Sequence, residues 1–273
     1  MTATFHGLIV NVCAYYCRSS WAARLDNNAR LRDASQASIV WVTESNGYTQ
    51  GKQLSNAYGW GGVMYNPADK GTWNEAAYIL HGGSAGITTS IHWDPDKWRL
   101  HEDIGNTSRW PFITEPGTTH RWATAGLLER RSTSQFILNG VTHTQYKPIG
   151  KNTIPAYDRE RYRQMSGFLT KLDQFAARFE NEYDTTIARL GTGDFNSRYG
   201  TDPYCRTIGV TKAMTDRGYK DFRVAAEIKA GSPANIIDRG CFKGKVRVRE
   251  HKVLPDNGAT DHDTAAAVLL AVG

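Results

Sequence analysis

The sequence predicts a mixed α/β sandwich. Two observations point there: short apolar runs alternate with helical stretches at both ends of the chain, and the middle is rich in strand and turn signals. A uniform βαβ array would lack that strand-rich centre. With 273 residues and 40% hydrophobic content, the chain can bury a core without disulfide staples. No linker or low-complexity stretch interrupts it, so residues 1–273 are read as one domain.

The elements follow in order. Leu8 to Tyr16 is a β-rich run carrying Asn11 early. Trp21 to Gln36 reads as a helix, with Ser19 or Ser20 at the N-cap position. Ser38 to Thr43 is a β-branched buried strand that ends at Glu44. Candidate strands then fall at Gly62–Tyr65, Ala77–Leu80, Thr88–Trp93 and Gln135–His143. From Asp158 to Glu182, Tyr162, Met165, Leu169, Leu172, Phe175, Ala176 and Phe179 recur at three- and four-residue steps, the apolar face of a long helix. Thr185–Leu190 is a strand that breaks into Gly193-Asp194-Phe195-Asn196. A short helix over Thr207–Arg217, closed by Gly218, precedes strands at Ala234–Asp238, Lys245–Val248 and Ala265–Val272.

Composition narrows the function classes. No run of about 18 apolar residues exists, which excludes a helical membrane span. Met1 to His6 has no basic stretch leading into an apolar one, so the expectation is a cytoplasmic protein without a signal peptide. Cys13, Cys17, Cys205 and Cys241 form no CxxC or zinc pattern, and four reduced thiols are expected. The net charge is +6, a surface suited to a polyanionic partner. A monomer is expected.

The polar residues at the strand ends carry the functional signal. Asn11, Glu44, His143, Asp194, Asn196, Asp238, Asp261 and His262 each sit in, or directly after, an apolar run. Strand ends along one sheet edge are where α/β proteins gather their sites. Carboxylates brought together repel unless a hard cation or another positive group joins them. Each residue also has a plain structural reading. Glu44 begins a loop, Asp194-Phe195-Asn196 suits an Asx-turn, His143 suits a satisfied core histidine, and Asp238 and Asp261 suit loop caps.

Their order along the chain resembles the endonuclease/exonuclease/phosphatase superfamily, the deoxyribonuclease-I-like proteins, over about residues 5–272. Gly193-Asp194-Phe195-Asn196 is the most specific motif. Thr260-Asp261-His262 looks like the family's terminal Ser-Asp-His, Val141-Thr142-His143 its Thr-His-Leu, and Val42-Thr43-Glu44 its Leu-Gln-Glu. The first motif departs from the pattern, since Val10 rather than an aromatic precedes Asn11. Tyr16-Cys17 offers a second alignment, with Cys17 in place of Asn. Asp238 is followed by Arg239-Gly240-Cys241 instead of Tyr-Ile.

The resemblance implies a four-layer α/β sandwich, two mixed sheets packed face to face and flanked by helices. It implies a phosphodiester hydrolase dependent on Mg²⁺ or Mn²⁺, with a DNA nuclease as the leading reading. Glu44 would ligate the cation, Asn11 would add its amide oxygen, and Asp261 would be a further ligand or an orienting carboxylate. Asp194 would position or deprotonate water, Asn196 would hold a phosphate oxygen or the water, and His143 would donate to phosphate or the leaving group. His262 would contact the scissile phosphate with Asp238 behind it.

The cations suggest where nucleic acid would lie. Arg198 follows the Asp-Phe-Asn motif, and Lys243, Lys245, Arg247 and Arg249 alternate as if on one face of one strand, a row suited either to phosphates or to protecting a sheet edge. Two rival functions stand beside the nuclease. One is a phosphatase or phosphodiesterase acting on a phosphoinositide, sphingomyelin or a nucleotide; the other is an inactive binding module, which conflicts with a nearly complete set of polar positions.

Overall fold

The computed structural model describes residues 3–13, 19–65, 75–82, 87–103, 123–144, 154–197, 204–225, 237–255, 262 and 264–273. The first sheet carries β1 (Ala3–Asn11), β2 (Ile39–Asn46), β3 (Tyr78–Gly82), β4 (Ile87–Trp93), β11 (Val246–Pro255) and β12 (Thr264–Val272), in the spatial order β11-β12-β1-β2-β4-β3. The second carries β5 (Trp98–Asp103), β6 (Ala123–Arg130), β7 (Gln135–His143), β8 (Ala188–Asp194), β9 (Lys220–Asp221) and β10 (Asp238–Lys243), in the order β5-β6-β7-β8-β10-β9. One central pair in each sheet is parallel, β1 with β2 and β7 with β8, and the other pairings are antiparallel. Each parallel pair is bridged by a helix, α1 (Trp21–Ser35) or α3 (Ile154–Tyr183). The remaining helices are α2 (Gly47–Ala57), α4 (Val210–Asp216) and the single turn α5 (Phe222–Ala225).

Strand periodicity sorts the side chains into layers. Phe5 and Ile9 of β1, Ile39 and Trp41 of β2, Val141 of β7, Leu190 of β8 and Phe242 of β10 fill the space between the sheets. The alternate residues face the helices: Leu8, Val10, Val40 and Val42 pack with Leu54 and Tyr58, while Leu127, Leu138 and Cys241 pack with Met165, Phe168, Leu169, Leu172, Ala176 and Phe179 of α3. This last set is the apolar stripe predicted for the long helix. Polar contacts also fasten the sheets within this layer: Trp41 Nε1 donates to Asn139 Oδ1 at 3.2 Å, and the hydroxyls of Thr89 and Thr124 meet at 2.8 Å.

Several expectations are corrected. Gly62–Tyr65 forms only an isolated bridge, Met64 with Tyr78, because Gly61 adopts φ +83 and turns the chain just before it. The short helix begins at Val210, since residues 204–208 form a turn. Gly218 does close it, at φ +72, with its N–H on the Thr215 carbonyl. Asp238 opens β10, and residues 234–236 of the strand expected before it lie outside the described residues. Cys13 is disulfide-bonded, which corrects the expectation of a reduced thiol there, whereas the buried Cys205 and Cys241 are free thiols. Among the described residues, no helix is long and apolar enough to cross a membrane.

Candidate active site

The C-terminal ends of β1, β2, β7 and β8 and the start of β10 deliver polar side chains to one end of the inter-sheet space. Parity alone explains Asn11, His143, Asp194 and Asp238. Each continues the inward-facing series of its strand, after Ile9, Val141 and Leu190 and, on β10, level with Phe242 and Gly240. Glu44 breaks parity: it shares the register of Val40 and Val42, which face the helices. A bulge between Thr43 and Ser45, with Glu44 itself at φ +60, turns its carboxylate inward. Its Oε1 reaches His143 Nε2 at 3.6 Å.

Asp194 is the hub. It is buried, and its Oδ2 lies 3.4 Å from His143 Nε2, 3.6 Å from His262 Nε2 and 3.3 Å from Asn11 Nδ2. Its Oδ1 accepts the Asn196 backbone N–H at 2.8 Å, an Asx-turn with Asn196 at φ +46. Burial raises its carboxyl to about 6; Asp238 adds to the rise, while His262, the Asn196 N–H and the Asn11 amide oppose it. Gly193, at φ +135, must be glycine, because a Cβ there would meet the Thr142 carbonyl oxygen.

His262 Nδ1 pairs with Asp238 Oδ2 at 2.9 Å, as expected. Its Nε2 lies 3.2 Å from Asn11 Nδ2. The hydrogen bonds select one arrangement: Nδ1–H donates to Asp238, and the amide of Asn11 donates one hydrogen to Nε2 and the other to Asp194. The Asn11 oxygen is turned away and accepts the Cys13 N–H at 2.8 Å. In this orientation Asn11 faces the centre with its amide as a donor. The Asn196 amide likewise donates to the Thr144 carbonyl at 3.0 Å, which anchors the turn.

Glu44, His143 and Asp194 form one group, and Asp194, Asp238 and His262 another. In each, the ligand atoms lie within 4.8 Å of one another and can hold a metal ion. The first group offers two carboxylates and an imidazole to a divalent cation. Asp261 and Arg198, together with the rival first-motif residue Cys17, lie outside the described residues.

The basic row does not join this centre. Lys243 ends β10 and pairs with Asp173 at 2.9 Å, Lys245 sits in the following turn, and Arg247 and Arg249 belong to β11 in the other sheet. The predicted single strand is thus two strands in two sheets, because Gly244 at φ +91 reverses the chain between them. Lys243 is five residues along β10 from Asp238, roughly 17 Å at strand rise. Arg247 pairs with Ala271, at the end of β12 remote from His262. Two contributors had no motif to reveal them. Thr144 holds the Asn196 amide, and Arg24 of α1 donates to the Val12 and Cys13 carbonyls just after Asn11.

The fold is that of endonuclease/exonuclease/phosphatase proteins. Such a protein from Bacteroides thetaiotaomicron superposes with a TM-score of 0.69 at 14% identity, covering 100% of this chain and 96% of its own. A Danio rerio TDP2 complexed with a single-strand DNA product gives 0.64 at 11% identity, covering 98% and 99%. The mannosyl-6-phosphatase Bt3783 of Bacteroides thetaiotaomicron gives 0.63 at 15%, covering 98% and 100%. No protein-family model matches the chain, and no curated protein is detectably similar to it in sequence.

Proposed function

We propose that this protein is a divalent-metal-dependent phosphoester hydrolase, and that its substrate is a phosphodiester of nucleic acid, DNA in the first instance. The observation that carries the reading is the convergence of Asn11, Glu44, His143, Asp194, Asp238 and His262, from six separate segments, on one end of the inter-sheet space. The net charge of +6 and a fold neighbour that holds a DNA product favour nucleic acid over an uncharged substrate.

Hydrolysis needs a water relieved of its proton, charge neutralised around phosphorus, and a stabilised leaving oxygen. Asp194, whose carboxyl pKa burial raises, is made basic enough to accept that proton. Asn11 and the Asn196 N–H fix its two oxygens. Asp238 holds the His262 ring in one orientation and stabilises the imidazolium that forms when Nε2 takes up a proton and releases the Asn11 amide; that Nε2–H would then donate to a phosphoryl oxygen. His143 stands between Glu44 and Asp194 and donates to phosphate or to the departing oxygen. A divalent cation held by Glu44 would supply Lewis acidity at the phosphoryl group.

The test is hydrolysis of supercoiled plasmid, linear duplex, single-stranded oligonucleotide, bis(p-nitrophenyl) phosphate and p-nitrophenyl phosphate with Mg²⁺, Mn²⁺ or EDTA. Cleavage of the nucleic acids and the diester with metal, abolished by EDTA, is expected. Activity on the monoester alone would move the assignment to a phosphatase. Activity undiminished by EDTA would overturn the metal dependence.

A further inference from the structure

The face of β10 opposite the site holds a buried guanidinium that the hydrolysis does not use. Asp238 points into the inter-sheet space, so its neighbour Arg239 points to the helix side, and it is 3% exposed. Its Nε and Nη2 bond Asp221 Oδ2 at 3.2 and 2.5 Å, and Nη2 also reaches Thr211 Oγ1 at 2.9 Å. Nη1 donates to the Ser197 carbonyl at 3.0 Å and faces the Cys205 sulfur at 3.5 Å. Ser197 Oγ donates to the same sulfur at 3.1 Å. Burial alone would raise the Cys205 thiol, yet Arg239, with hydrogen bonds from Ser197 and Thr211, holds it below its ordinary range.

The fork therefore ties three segments together. These are β9 through Asp221, the start of α4 through Thr211, and the turn after β8 through Ser197. Ser197 directly follows Asn196, and Arg239 directly follows Asp238. The Phe195 N–H on the Ile237 carbonyl at 2.9 Å also links these two flanks. A guanidinium can bind three acceptors in one plane, whereas an ammonium on a flexible stem cannot. A buried cation with one strong carboxylate contributes little net stability compared with an apolar replacement, so its value lies in geometry.

We propose that Arg239 is a positioning residue for the hydrolytic site: from the reverse face of the sheet it fixes the strand carrying Asp238 against the turn carrying Asn196. The proposal rests on the hydrolase reading for its kinetic consequence but has a structural readout of its own. In Arg239→Lys the charge stays near Asp221 while the bonds to Ser197 and Thr211 are lost. The expected result is a protein with unchanged circular dichroism whose kcat on bis(p-nitrophenyl) phosphate falls between about ten- and hundredfold, with KM within about twofold, because misplacement by about 1 Å has such an effect. A loss of stability alone would lower kcat only in proportion to the unfolded fraction. The second readout is the downfield proton resonance of His262 Nδ1–H, held by Asp238, assigned as the signal missing in His262→Gln. It should shift or broaden in Arg239→Lys. Wild-type kcat together with an unmoved resonance would overturn the proposal. If Arg239→Lys does not fold, Thr211→Val removes one neutral contact of the fork, and the same pair of measurements decides. A wild-type protein inactive on every phosphoester would sink the hydrolase reading, and the resonance would still decide the role of Arg239.

Discussion

His92 lies on β4 where the end of α2 covers the sheet. It is fully buried, with its ring stacked on Tyr78 at 5.1 Å and met edge-on by Tyr58 at 5.7 Å. Its Nε2 pairs with Ser90 Oγ at 2.9 Å, and burial pushes its pKa down to about 3 from an ordinary 6.5. The folded-state value is the lower of the two, so between pH 6.5 and 3 the unfolded chain takes up a proton that the folded one refuses. Stability is therefore complete above pH 6.5 and falls as the pH drops through that window. The difference amounts to about 2 kcal/mol at pH 5 and roughly 5 kcal/mol once the pH is below both values. Urea unfolding of the wild type and of His92→Phe at pH 8 and pH 5 isolates it, because the phenyl ring keeps the stacking and cannot titrate. The wild type should lose about 2 kcal/mol more than the variant between the two pH values. Equal losses in both proteins would show that the imidazole is hydrated or paired in a way that spares it, and the reasoning would be refuted.

Three further outcomes are expected. Asp238→Asn should lower kcat by about a hundredfold or more, the scale of acid–base and orienting contributions, with the melting temperature little changed; near-normal turnover would remove the Asp238–His262 pair from the mechanism. Gly193→Ala places a Cβ 1.8 Å from the Thr142 carbonyl oxygen at φ +135, and should cost about 3 kcal/mol or more in chemical denaturation. Arg247→Ala with Arg249→Ala should leave the rate of plasmid cleavage and its salt dependence unchanged, since both residues lie on β11 toward the end remote from His262; a flatter salt slope would restore them as phosphate contacts.

Much of this was legible in the residues, for identifiable reasons. The stripe from Met165 to Phe179 and the apolar runs that carry or lead to Asn11, His143 and Asp194 show a pattern because they are buried, and burial is what periodicity encodes. Helix α2 was not legible: Gly47 and Gly51 are poor helix residues, and the Asn46 side chain makes no capping bond at its start. It forms because Gly51 lets the helix close on Tyr78 and Leu80. Strand β6, Ala123–Arg130, is rich in Ala and Gly and owes its conformation to burial in the sheet. At the site, residue types and order were readable, but orientation was not. The bulge that turns Glu44 inward, the amide flip of Asn11 set by the Cys13 N–H, and the chain reversal at Gly244 that divides the basic row are backbone events with no side-chain signature.

The centre is divided between the sheets. Asn11, Glu44 and His262 come with the first, and His143, Asp194 and Asp238 with the second, while the layer between them is apolar apart from a few polar contacts such as Trp41–Asn139 and Thr89–Thr124. Neither sheet owns a working set of groups. On the hydrolase reading, turnover reports how well the two halves are aligned, as the reading of a vernier reports the alignment of its scales. A volume change at Trp41 or Val141, well below the reacting groups, would slide one scale against the other and be read first as lost rate, before any lost secondary structure.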